Sequence, residues 1–333
     1  MQNSVLRRVR ACAAALLPIV AGLTGLAGLP TPANAAWPER QITIVVPFPA
    51  GGLTDVAARH YARGLQDELK QPVVVENRVG AGGIIGTEYV SKAKNDGYTL
   101  LVNSPSHVIN QAFRAKMPYD ALRDFTPIAQ LLNSPMVLVV HPSVPVNSLA
   151  DYLAHAATQK GGISFGSTGA GGTSHLAGEM LRLMTRAPMT HVPYKGASPA
   201  LNDVLGGQLP SIFLDVPTIA QYVAAGKLKA VATSSAARSE TLPNVPTVAE
   251  QGFARYDVST WIALYGPAML PDSITNALNA VAVRHMASAK EREWLRQNGA
   301  LGGTMDAPAF RRFVQDELDK WTQFNKEAKV QVD

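Results

Sequence analysis

Two glycine-rich segments, "PFPAGGLTD" over residues 47–55 and "GSTGAGGTSH" over 166–175, carry the groups best suited to gripping a small charged molecule. Each follows an apolar run, residues 41–46 in the first case and 163–166 in the second, and each leads into a helical pattern. Glycine lets the main chain approach a guest closely and adopt angles that point successive N–H groups at one object. A helix start adds about half a positive elementary charge and several unpaired N–H donors. The guest that fits is an anion.

Spacing narrows the choice. A P-loop needs G-x-x-x-x-G-K-[ST], and neither segment has the lysine; a dinucleotide loop needs G-x-G-x-x-G, and Gly169, Gly171 and Ser174 fail at the last position. With no Arg or Lys in either segment, a multiply charged phosphate finds no counter-ion there. A carboxylate suits a few N–H donors and the hydroxyls of Thr54, Thr168, Thr173 and Ser174. The plainer alternative is that the glycines only make tight strand-to-helix turns. Hydrolytic chemistry is the rival class, but "FGSTG" lacks the G-x-S-x-G elbow, and the seven histidines show no H-E-x-x-H or other zinc spacing. His175 is the one suggestive base, and reads first as a helix-end residue. Asp55 reads first as a charge that favours the helix dipole. No catalytic set, metal site or cofactor is expected.

The first 36 residues stand apart. Arg7, Arg8 and Arg10 precede an Ala/Leu-rich stretch that ends in Ala33-Asn34-Ala35, the pattern of a cleavable secretory signal over 1–35. The whole chain of 333 residues carries a formal charge of +5; without that segment 27 basic residues face 25 acidic ones, and basicity gives no support to nucleic-acid binding. The single cysteine, Cys12, lies in the signal. The exported chain therefore has no disulfide, thiolate metal site or thiol nucleophile.

Short Val/Ile/Leu-rich runs at 41–46, 72–76, 98–102, 136–140, 163–166, 190–193, 210–214 and 228–233 alternate with helical periodicities. Tyr61, Leu65 and Leu69 form one apolar stripe, and Leu176, Met180, Leu183 and Met184 another, both read as core. This alternation predicts two α/β units built on parallel sheets with helices on both faces. The breaker-rich segment His141–Ser148 is the expected crossing between them. A further strand over 258–265 and helices over 272–286 and 307–328 are expected to return to the first unit.

The segments "WPERQITIVVPFPAGGLTD", "VENRVGAGGIIGTEYV", "MPYDALRDFTPIAQL", "FGSTGAGGTSHLAGEM", "VPYKGASPALNDVLGGQ" and "LPNVPTVAEQGF", in this order across nearly the whole exported chain, resemble the Bug family of periplasmic binding proteins, substrate receptors of tripartite tricarboxylate transporters. The resemblance implies a two-lobed type II periplasmic-binding fold closing over an organic carboxylate, with lobe 1 over 36–140 and 256–333 and lobe 2 over 141–255. By position it carries ligand contacts to Phe48, Ala50, Gly51, Thr54 and Asp55 in one loop, and to Thr168, Gly169, Ala170, Gly171, Thr173 and Ser174 in the other. Ser104, Ser106, Asp215 and Trp261 are candidates for the far end of the ligand. Two departures stand out: "IFLD" replaces the family's "MFD", displacing the acid by one residue to Asp215, and Ile262 and Ala263 follow Trp261 where relatives place a glycine, implying a narrower pocket wall.

These readings predict a periplasmic solute-binding protein, expected to be monomeric, that delivers a small organic carboxylate to transporter membrane subunits. The alternatives are an exported hydrolase or isomerase using His175 as base in the same cleft, and an orphan receptor serving a sensor. Main-chain dipoles of both lobes are expected to hold the headgroup without a guanidinium or ammonium.

Overall fold

In the computed structural model, residues 37–328 and Val330 are described; the expected signal over 1–35 lies outside them. The chain opens with β1 (Ile42–Val46), α1 (Leu53–Leu69), β2 (Val73–Asn77), α2 (Ile84–Ser91), β3 (Thr99–Asn103) and α3 (Ser106–Phe113), and then enters the long strand β4 (Phe125–Val140). There follow α4 (Leu149–Thr158), β5 (Ile163–Ser167), α5 (Thr173–Thr185), β6 (Met189–Pro193), α6 (Ala197–Leu205), β7 (Ser211–Asp215), α7 (Val216–Ala224) and β8 (Lys229–Thr233). The last part comprises β9 (Ser259–Pro267), α8 (Asp272–Met286), α9 (Ala289–Gln297), β10 (Leu301–Gly302) and α10 (Ala307–Ala328).

Main-chain pairing runs β2-β1-β3-β9-β4-β7-β5-β6, with β8 and β10 joined to β4. Two parallel triplets, β2-β1-β3 and β6-β5-β7, form the cores of two lobes. Each is completed by antiparallel strands, so the sheets are mixed rather than wholly parallel. β1 is buried at Ile42, Ile44, Val45 and Val46, as its unbroken apolar run requires when helices cover both faces. The stripe on α1 buries Tyr61 and Leu65 as expected, and Tyr61 Oη donates to Leu278 O on α8 at 3.1 Å. On α5, Leu176 and Met180 are buried in the core.

The passage between lobes differs from the expected one. It lies inside β4, where Phe125–Pro135 pairs with β9 and Met136–Val140 pairs with β7 and β8, upstream of the His141–Ser148 segment. A strand can change sheets without ending because each half finds its own antiparallel partner. Ser234, just past β8, stitches the crossing: Met136 N–H donates to its hydroxyl at 3.0 Å, the hydroxyl donates to Val258 O, and Val258 N–H returns to Ser234 O at 2.8 Å.

Trp261, expected at the ligand, lies instead in the core, 1% exposed, edge-on to Phe313. Its Nε1–H donates to Glu317 Oε2 at 3.1 Å, and Trp321 Nε1–H donates to the same oxygen at 3.2 Å. Lys320 also bonds this carboxylate, which thereby fastens α10 to β9. Glu317→Ala would leave two buried indole donors unpaired and is expected to lower unfolding free energy by about 2–4 kcal/mol in urea denaturation. Glu317→Gln keeps an acceptor and should cost less than half as much.

Candidate functional site

The two glycine loops have the same backbone. Gly51 and Gly171 have φ of +83° and +74°, a region open to glycine and costly for branched side chains. Gly52 and Gly172 are the N-caps of α1 and α5, at φ −76° with ψ 165° and 164°. In each loop the glycine N–H turns inward onto a side chain four residues ahead. Gly51 donates to Asp55 Oδ2 at 3.0 Å, and Gly171 donates to His175 Nδ1 at 3.0 Å. Those two N–H groups, expected to face the ligand, instead fix the loops. Neither helix has a side-chain cap, so first-turn N–H donors remain open.

The anchors differ in charge, and this separates the loops. Asp55, 2% exposed, also accepts from Arg59 Nε and Nη2 (2.9 Å each) and from Asn77 Nδ2 (2.9 Å). Asn77 Nδ2 donates in addition to Phe48 O at 3.0 Å. The Arg59 bonds, with those from Gly51 and Asn77, hold the Asp55 carboxyl at about 2 against the opposing effect of burial. Its oxygens are committed, so Asp55 is a loop anchor rather than the expected ligand contact. α5 has no acid in its first turn. Its anchor His175 stacks on His191 with ring centroids 3.7 Å apart, and burial lowers both imidazoles to about 4. His175 is therefore neutral near neutral pH. Its Nδ1 lone pair is taken by Gly171, so it is poorly placed to act as the base of the rival reading.

A cavity of about 490 Å3 opens between the lobes. Of the expected residues, Phe48, Ser104, Ser106, Ala170, Gly171 and Thr173 line it, joined by Gly172. Ala50 and Gly51 are exposed but outside this lining, and Thr54 is buried. Thr168, Gly169 and Ser174 serve the loop itself. Thr168 N–H donates to Ser174 Oγ at 2.9 Å, and Gly169 N–H donates to Ser167 Oγ at 3.2 Å. Ser104 Oγ donates to Ser106 Oγ at 3.1 Å, which donates to Asn103 Oδ1 at 3.1 Å, so this pair is held as one unit.

The opposite wall contains residues that the sequence reading missed: Ala81, Gly82, Ile109, Asn110 and Arg114. Ser106, Asn110 and Arg114 follow an i, i+4, i+8 spacing, which puts them on one side of α3 and its C-cap and was the available signal. Asn110 Nδ2 donates to Gly82 O at 3.0 Å, and Arg114 Nε donates to Asn110 Oδ1 at 3.3 Å. A guanidinium therefore stands in the cleft wall, contrary to the expectation of none.

Asp215 lies outside this lining, at the end of β7 opposite Met136, where the chain crosses between lobes. Its Oδ1 is sealed from solvent without a hydrogen-bond partner among the described residues, although the side chain as a whole is only partly buried. Burial raises its pKa to about 6, and Thr260 offsets part of the rise. Among the described residues no His/Cys/Asp/Glu cluster is arranged to hold a metal.

Two lobes around an interlobe cleft, with a helix N-terminus in the cleft wall, define a solute-binding receptor. The chain belongs to the tripartite tricarboxylate transporter receptor family, whose description, "Tripartite tricarboxylate transporter family receptor", matches residues 57–330. It is 36% identical to protein BugT of Bordetella pertussis over 309 residues, 92% of this chain and 95% of that one. Its fold is similar to that of R. palustris Rpa4515 with adipate, with a TM-score of 0.77, 34% identity, and coverage of 88% of this chain and 99% of that chain. MatC from Rhodopseudomonas palustris with bound malate gives a TM-score of 0.73 at 30% identity, covering 86% and 99%.

The titrations set a pH dependence of opposite signs. His107, His175 and His191 all stand at about 4 through burial. The unfolded chain therefore binds more protons below about 6.5, and stability falls as pH drops from there towards 4. Asp215 works the other way: the folded chain holds its proton up to about 6, so its ionisation costs stability as pH rises from about 3.8 to 6. Asp215→Asn is expected to unfold at higher urea than the parent at pH 7.5, with the gain vanishing below about pH 3.8. An equal midpoint at pH 7.5 would contradict a carboxyl raised by burial.

Proposed function

We propose that the chain is a periplasmic receptor that binds one small organic carboxylate in the interlobe cleft and delivers it to the membrane subunits of a tripartite tricarboxylate transporter. The observation that carries this reading is the uncapped N-terminus of α5 in the cleft wall, with no acid in its first turn. Its main-chain donors and the Thr173 hydroxyl offer a carboxylate charge-assisted hydrogen bonds, while Phe48 and Ile109 supply apolar contact for carbon. The adipate and malate named for the two similar structures are carboxylates, and agree with it. Ligand binding would favour the shut form by its extra contacts there, with the lobes pivoting at Pro135–Met136 and at Ser234–Val258. The receptor acts as a monomer, changes no bond in its ligand, and has lobe boundaries near those read from the sequence.

Calorimetry against a carboxylate panel tests the reading. Gly171 has φ +74°, so Gly171→Val strains the loop and displaces the α5 donors. Affinity is expected to fall at least about tenfold, with circular dichroism unchanged. Retained affinity in Gly171→Val would place the ligand elsewhere, and NMR detection of a product would make the protein an enzyme.

A further inference from the structure

We infer that His175 is a positioning residue that opens the α5 turn to an anion by fastening it with an uncharged acceptor, where the matching turn at α1 is fastened by an ionised one. This rests on the reading of the cleft as a carboxylate site. The two turns have closely similar glycine and cap angles and the same 3.0 Å bond from the inner glycine N–H to the side chain four residues ahead. They differ in what receives that bond. The charge one turn further along the helix is inverted as well: Asp55 is followed by Arg59, which pairs with it, whereas His175 is followed by Glu179. Glu179 already holds Arg182, at 2.8 Å from Nε and 2.7 Å from Nη2. A carboxylate at 175 would therefore meet no free cation on its own helix.

The surroundings keep the imidazole neutral and in one tautomer. Gly171 donates to Nδ1, so the ring proton sits on Nε2, which faces Glu179 Oε1 at 4.0 Å. The His191 ring lies against it with centroids 3.7 Å apart, and burial holds both at about 4. His191 reaches the same loop by another route: its Nε2 is 2.6 Å from Ser167 Oγ, and that oxygen receives the Gly169 N–H at 3.2 Å. The backbone at Gly169 and Gly171 thus hangs on an uncharged stacked pair, and the first turn of α5 carries no acid. Ala170, Gly171, Gly172 and Thr173 bring this turn to the cleft wall. A carboxylate at 175 would set a negative charge beneath the turn that receives the ligand's own, and two like charges within about 10 Å in such a place cost about tenfold or more in affinity.

The test is calorimetry on the exported chain at about pH 7.5, where an aspartate is ionised, with acetate, succinate, glutarate and citrate, comparing His175→Asn with His175→Asp. The two replacements have the same shape, and each puts an oxygen as many bonds from the main chain as Nδ1; they differ by one negative charge. For the acid that the parent binds most tightly, His175→Asn is expected to lose at most about fivefold in affinity, and His175→Asp to bind at least about tenfold more weakly than His175→Asn. Melting temperatures check that both variants are folded. A residue that only filled space or only held the loop would give two equal variants, so equal affinities overturn the inference while leaving the carboxylate site in place. Loss of all binding in a folded His175→Asn also overturns it, by requiring the imidazole itself. If His175→Asp does not fold, Glu179→Arg is added to both variants to rebuild the ion pair that Asp55 and Arg59 make at α1. The Asn form must then still bind the tighter by about threefold, the guanidinium offsetting part of the charge, and parity overturns the inference. If none of these acids binds the parent, the carboxylate reading itself fails, and the inference with it.

Discussion

The site depends on one short bond made twice, from a glycine N–H at the head of a helix to a side chain four residues ahead. Gly51 to Asp55 and Gly171 to His175 share the same length, offset and flanking angles, 120 residues apart. The bond holds a left-handed glycine that would otherwise be free to relax, and so fixes the backbone that leads into the first turn. In doing so it uses the N–H that the sequence alone would aim at a guest. What remains for a ligand is the rest of the turn, which neither helix caps with its own side chain.

The continuity of β4 is the second constraint. A single strand shared by both lobes changes partners between Pro135 and Met136, so the lobes are tied together at that point. Pro135 has no N–H to give, so loss of pairing there costs little. Buried polar atoms without partners gather beside this point: Asn133 Oδ1, Ser134 Oγ, Thr233 Oγ1 and Asp215 Oδ1. Such groups weaken the packing at the crossing, whereas the cores of the two triplets are apolar.

Much of this was legible in the sequence because the strands are short runs set between helical periodicities, and the inner ones, β1, β3, β5 and β7, are buried nearly throughout. Strands β1, β2, β3, β5, β6, β7 and β8 fall within a residue of the expected spans, and α8 and α10 match theirs. The first half of β4 escaped notice because Pro127, Gln130, Asn133 and Pro135 interrupt its pattern. Those residues are tolerated because β9 pairs irregularly there, with register shifts at Pro127/Ala129 and Gln130/Leu132. α9 was missed because "AKEREWLRQ" offers few apolar positions, with only Glu291 and Leu295 buried. In the site, glycines announced the loops, but nothing local distinguished Trp261 in the core from an aromatic at the ligand. Arg114 was hidden for a different reason: it reaches the cleft from a helix end, and only the tertiary structure sets α3 across from α5.

The asymmetry between the two anchors explains why matching loops do not play matching parts. At α1 the first turn carries the ionised Asp55, whose carboxylate accepts from Gly51, Arg59 and Asn77 and places a negative charge beside the helix start. At α5 the anchor is a neutral imidazole sandwiched against His191, and the field of the helix start is unopposed. In the cleft lining the α5 loop presents Ala170, Gly171, Gly172 and Thr173, whereas the α1 loop presents Phe48. Two copies of one backbone device thus differ through one side chain: one turn closes on an ion pair, and the other leaves its helix start on the cleft wall without an acid in its first turn. The facing wall is built by α3 and its C-cap Arg114, which come from the same lobe as the α1 loop but from a different strand-to-helix passage.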